Sequence, residues 1–130
     1  MPPLTRWYIK LAMIYLIAGL LIGAAPPLTA LAGPAYVHML VVGWITQMIF
    51  GVAYWMFPKY SVEQPRGGNA VAIATFALLN IGLVLRVIVE PVRVWRPGLL
   101  PGSLLVVAGV AQALAGIGFA ISTWPRVKVR

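Results

Sequence analysis

Tyr36-Val37-His38-Met39-Leu40-Val41-Val42-Gly43-Trp44-Ile45-Thr46-Gln47-Met48-Ile49-Phe50-Gly51-Val52-Ala53-Tyr54-Trp55-Met56-Phe57-Pro58 is the run that decides the fold. It holds no acidic residue and no lysine or arginine. A helix needs about 20 apolar residues to cross the hydrocarbon of a bilayer. This run supplies them and then meets Pro58, which cannot extend a helix. The single ionisable side chain inside it is His38, the one histidine of the chain. An ionisable ring in a spanning helix is costly, so it is a candidate functional residue by default.

Three more stretches share this character. The spans predicted from the sequence run over about 9–25, 35–57, 69–89 and 104–124. Pro26-Pro27, Pro58, Glu90-Pro91 and Pro125 follow them as stops. Proline lacks the N–H that a helix needs and disfavours helix in the residue before it. The composition agrees: 62% of the 130 residues are hydrophobic and 9% are charged. A water-soluble domain carries roughly 25% charged residues, so this chain has too few to cover a water-facing surface. The fold class is therefore all-α, a four-helix integral membrane bundle in one domain over residues 1–130.

The first segment also has the features of a cleaved signal peptide: Arg6 and Lys10, an apolar core, and Ala30-Leu31-Ala32. We take it as a retained helix. Four spans then put both termini on one side. That side carries Arg6, Lys10, Lys59, Arg66, Arg126, Lys128 and Arg130; the other carries Arg86, Arg93 and Arg96. Lysine and arginine accumulate on the cytoplasmic side. Both termini are expected in the cytoplasm, in a cell membrane of bacterial or archaeal type. The uncharged loop from Pro26 to Pro34 is expected to lie against protein or membrane at the outer face. Trp7, Trp55, Trp95 and Trp124 fall at segment ends, as interfacial anchors do, whereas Trp44 lies well inside the second span. The net charge of +8 comes from residues at segment ends, which is a topology and lipid signal rather than a nucleic-acid footprint.

The chain has no cysteine, which excludes disulfides, iron–sulfur clusters and thiolate ligands. One histidine and two acidic residues, Glu63 and Glu90, are too few for a zinc or dinuclear site. One imidazole is enough to hold haem iron. With the termini inside, His38 lies about one turn below the outer face. Arg86, one turn from the end of the third span, is expected at the same depth, and Arg93 and Arg96 follow in the outer loop. Guanidinium groups neutralise propionates with forked hydrogen bonds. The bland reading of each residue stands beside this one. His38 can hydrogen-bond a neighbouring helix. Arg86 can snorkel or pair with Glu90, and Glu90 with Arg93, at helix spacing. Arg93 and Arg96 can be solvated loop charges.

At 100° per residue, His38 shares a face with Val42, Ile45, Ile49, Val52 and Met56. That apolar face suits a porphyrin or lipid. The opposite face carries Gly43, Gln47, Gly51 and Tyr54, and small residues there allow a neighbouring helix to approach. A similar ridge is expected in the fourth span at Gly109, Ala113, Gly116 and Ala120. Gln47, Asn80 and Gln112 read as interhelical hydrogen-bond partners. Met39 points about 100° away from His38 and Met48 lies two to three turns deeper, so neither reaches the same iron.

The run from His38 to Pro58 resembles the second transmembrane helix of the haem–copper oxidase catalytic subunit, including its nitric-oxide-reductase-like members. The chain as a whole looks most like the short four-helix relatives of that subunit. The resemblance implies that His38 ligates a b-type haem from the outer leaflet. The chain departs from the family in having about four spans rather than a dozen, and no second histidine. Oxygen reduction at a haem–copper centre is excluded for this chain alone, and no copper is expected.

Two expectations follow. The first is a membrane haem b protein with His38 as axial ligand and Arg86, Arg93 or Arg96 at the propionates. It would pass electrons as a dimer sharing one bis-histidine haem, or bind a gas such as NO or O2 if five-coordinate. The second is a non-catalytic subunit of a larger respiratory or photosynthetic membrane complex, with no cofactor of its own.

Overall fold

A computed structural model of the chain describes residues 1–63 and 69–128. Arg66 and Arg130, two of the cations counted above, lie outside the described residues. Among the described residues, four helices are long and apolar enough to cross a membrane: Pro3–Ala24, Pro34–Met56, Asn69–Trp95 and Ser103–Arg126. A short helix, Pro26–Ala32, joins the first two spans. The fourth span ends in a 3-10 turn over Trp124–Arg126.

Prolines set the starts more than the stops. Pro3, Pro26 and Pro34 each open a helix, where the missing N–H has no helical partner to lose. The first span accordingly begins six residues before the expected Ile9. The expected stop at Glu90-Pro91 is wrong: Pro91 lies inside the third helix, which runs on to Trp95. Proline there removes one backbone bond, a loss that surrounding protein and water can offset in spanning helices. Val89 and Glu90 are buried just before it, and Arg96 N–H still bonds the Val92 carbonyl just after it. Tertiary packing therefore carries the helix through the proline.

The bundle consists of two antiparallel hairpins. The first and second spans pack together, and the third and fourth spans pack together along their length. Glycines allow the closest crossings. A Cβ on Gly51 would sit 2.5 Å from Tyr8 Cβ, and one on Gly82 would sit 2.8 Å from the Ala108 carbonyl oxygen. Thr5 Oγ1 donates to the Gly51 carbonyl at 3.1 Å across the first crossing.

Aromatic rings join the hairpins. Phe50 stacks on Phe119 with centroids 3.9 Å apart. Tyr8 meets Phe76 edge-on at 4.8 Å. Tyr8, Leu79 and Ala115 form the buried centre of this layer.

Two basic side chains bind the C-terminal segment to the end of the second span. Arg126 is 1% exposed. Its Nε donates to the Pro58 carbonyl at 3.0 Å and its Nη2 to the Phe57 carbonyl at 2.8 Å. Lys128 Nζ donates to the carbonyls of Lys59 and Tyr60 at 3.0 and 3.2 Å. With Thr5 on Gly51, these bonds place both termini at one end of the bundle, called the terminal end below. His38 lies at the opposite end. There the uncharged helix Pro26–Ala32 packs on the first and third spans, with Ala32 buried and Pro26, Pro27, Leu28, Ala30 and Leu31 exposed.

Candidate functional site

The second span is not a uniform α-helix. Pro34–His38 is α-helical, Met39–Thr46 is a π-helix, and Gln47–Met56 is α-helical again. The π segment begins at the residue after His38. Its i→i+5 hydrogen bonds put more residues into each turn, and such segments recur at functional sites.

This wider helix changes which residues share a face. Val37, Val41, Ile45, Ile49, Val52 and Met56 form the exposed row. Ala35, Met39, Gly43, Gln47, Gly51 and Tyr54 form the buried row. From Val37 to Ile49 each step is four residues. In a straight α-helix that step drifts about 40° each time; the π segment holds it in line. The face assigned to His38 at 100° per residue is therefore not one row: Val42 packs inward against the Tyr8, Leu79 and Ala115 cluster, whereas Ile45, Ile49, Val52 and Met56 are exposed. His38 is half-buried and borders the exposed row instead of heading it.

The imidazole has a defined tautomer. Nδ1 lies 2.9 Å from the Pro34 carbonyl oxygen, one turn back in the same helix. A carbonyl oxygen only accepts, so Nδ1 carries the proton. In the neutral ring Nε2 is then an unprotonated nitrogen with a free lone pair. In metal-binding histidines a backbone carbonyl commonly fixes one ring nitrogen so that the other can ligate.

The arginines are arranged differently from the expectation. Arg86 Nη1 donates to Glu90 Oε1 at 2.5 Å, and Glu90 is 6% exposed. Its Nη2 also lies 3.5 Å from where a Cβ on Gly109 would stand, so it is wedged against the fourth span. Arg86 is engaged in an intrahelical ion pair through Nη1, and its Nε is buried without a partner. The pair follows from spacing: residues four apart on a helix face each other. Arg93 Nη1 donates to the Leu100 carbonyl at 2.9 Å and ties down the turn between the third and fourth spans. The Arg96 guanidinium lies 4.9 Å from the Trp95 ring centroid. Arg96 is exposed. Each guanidinium has five N–H donors, so Arg93 and Arg96 retain donors for an external anion.

The first turns of the second span pack on the third span, so His38 and the arginines share one end of the bundle. His38's own hydrogen bond goes to Pro34, and none joins it to Arg86, Arg93 or Arg96. Met39 is buried, with its Cβ 3.8 Å from a Cβ built on Gly19 of the first span. It faces away from the exposed row.

Two of the three mid-membrane amides bond within their own helices rather than between them, and the third, Gln112, has its Nε2 buried without a partner. Gln47 Nε2 reaches the Gly43 carbonyl and Asn80 Nδ2 the Phe76 carbonyl. The carbonyl one turn back is the nearest acceptor to a helical amide. The small-residue ridge of the fourth span is also displaced. Ala108, Ala111 and Ala115 are buried against the bundle, whereas Ala113, Gly116 and Ala120 are exposed. The residue that sequence reasoning missed is Arg126. Its position after Trp124-Pro125 marked it only as an interfacial cation.

No protein family, no curated protein and no solved structure matches the chain.

Proposed function

We propose that this chain is a membrane-embedded haem b protein, with His38 as axial ligand and a second copy of the chain closing the site. The observation that carries this reading is the His38–Pro34 hydrogen bond, which leaves Nε2 free on a half-buried ring beside the exposed apolar row. A ring at the perimeter fits a porphyrin lying on the outside of the bundle rather than within it. That position leaves the far side of the iron to another subunit. An isologous pair would bring two His38 rings to one haem. Arg93 and Arg96, which keep unused donors, would meet the propionates; Arg86 would hold Glu90. When bound, the haem supplies one-electron chemistry, or gas binding where one axial position stays open.

The charge distribution supports cytoplasmic termini in a cell membrane of bacterial or archaeal type. Arg6, Lys10, Lys59, Arg126 and Lys128 all belong to the terminal end. His38 would then face the outer leaflet.

A second reading is a non-catalytic subunit of a larger membrane complex. The engagement of Arg86 with Glu90 and of Arg93 with the Leu100 carbonyl favours it. An optical spectrum separates the two. Protein saturated with haem in mild detergent should show sharp reduced-state bands that His38→Ala abolishes while helicity is retained. Identical spectra for the parent and His38→Ala would refute the assignment of His38.

A further inference from the structure

The outer wall of the second span carries a shallow groove near the terminal end. Met48, Ile49, Val52, Ala53, Met56 and Phe57 line it. All six are apolar, and Ile49, Val52 and Met56 belong to the exposed row. The helix ends at Met56, and Phe57 turns the chain into an extended conformation. Lys59 follows two residues later and is exposed.

At this same place the Lys128 ammonium is fixed by the Lys59 and Tyr60 carbonyls. An ammonium has three N–H donors. Two are engaged, and the exposed side chain keeps the third. A cation is thus held just past one end of an apolar groove, with a second lysine beside it.

We propose that this groove binds one anionic glycerophospholipid, with an acyl chain along Met48 to Phe57 and its phosphate at Lys128 and Lys59. The charge pattern selects this occupant. An apolar body with a single anionic end matches a groove whose cations gather at one end only. A packed partner helix would need the apolar wall but not the tethered ammonium. Fixing Lys128 on two carbonyls also lowers the ordering cost that a long flexible side chain incurs on binding.

Native mass spectrometry of the chain from mixed micelles with phosphatidylglycerol or phosphatidylcholine tests this. Retention of phosphatidylglycerol should exceed that of phosphatidylcholine. Lys128→Gln should lower phosphatidylglycerol retention about fivefold, and Lys128→Arg should preserve it. Val52→Trp, at an exposed position that leaves the core intact, should lower it with both lysines present. Equal retention of the two lipids, or no effect of Lys128→Gln and Val52→Trp, would overturn the proposal. Displacement of the lipid by millimolar inorganic phosphate would also overturn it, because that outcome describes a bare anion site without a groove.

Discussion

Arg126→Met removes the guanidinium that binds the C-terminal segment to the second span. The side chain is 1% exposed and donates to two carbonyls, at Pro58 and Phe57. A hydrogen bond with one charged partner contributes about 1.5–3 kcal/mol. The two acceptors stand at the end of the helix, where water can replace the lost donor, so the lower figure applies to each. The expected loss is about 3 kcal/mol, more than a hundredfold in the ratio of folded to unfolded protein. Methionine fills similar volume and leaves no stranded charge, so the loss reads the guanidinium's interactions, its 5.8 Å approach to the Tyr54 ring included. Titration with dodecyl sulfate in mixed micelles, followed by tryptophan fluorescence, measures the shift. Arg126→Lys should lie between the two, because an ammonium keeps the charge but not the planar fork. A variant within about 0.5 kcal/mol of the parent, the range of ordinary surface changes, would refute the clamp.

Glu90→Leu should destabilise the bundle by about 3 kcal/mol, because it leaves Arg86 buried without its partner. The double variant Arg86→Met/Glu90→Leu should recover most of that loss in the same titration, and additive losses would contradict a coupled pair. Arg86→Met should leave the reduced haem spectrum in place; its disappearance would return Arg86 to the propionates. Gly82→Ala should cost about 1–3 kcal/mol, since its Cβ would meet the Ala108 carbonyl oxygen, which is backbone and cannot move aside. Gly116→Ala, with open space at the same point, should change stability by less than about 0.5 kcal/mol.

Much of the architecture was legible because lipid restricts what a chain can do. Uninterrupted apolar runs must be helices there, so four spans came out within a few residues of their observed centres. The errors arose where local rules met tertiary packing. Pro91 reads as a stop, yet buried Val89 and Glu90 hold the helix through it. The π segment has no sequence signature, so a 100° wheel put inward-packed Val42 in one row with the exposed Ile45 and Ile49. The fourth span is rich in small residues on every side, so its packing ridge could not be chosen from spacing.

The candidate site was legible in its residues but not in their bonds. Arg86 and Glu90 pair as helix spacing allowed. The partners of Arg93 and Arg126 are backbone carbonyls, 7 and 68–69 residues away in sequence, which no side-chain pattern encodes. The fixed tautomer of His38 depends likewise on a carbonyl one turn back.

The most direct test of a His38-held haem shared between two copies is its stoichiometry. Purified chain in mild detergent is titrated with haem and the Soret absorbance followed to saturation. Saturation at half a haem per chain, lost in His38→Ala, is the predicted result. Saturation at one haem per chain, or no saturable binding, would contradict it.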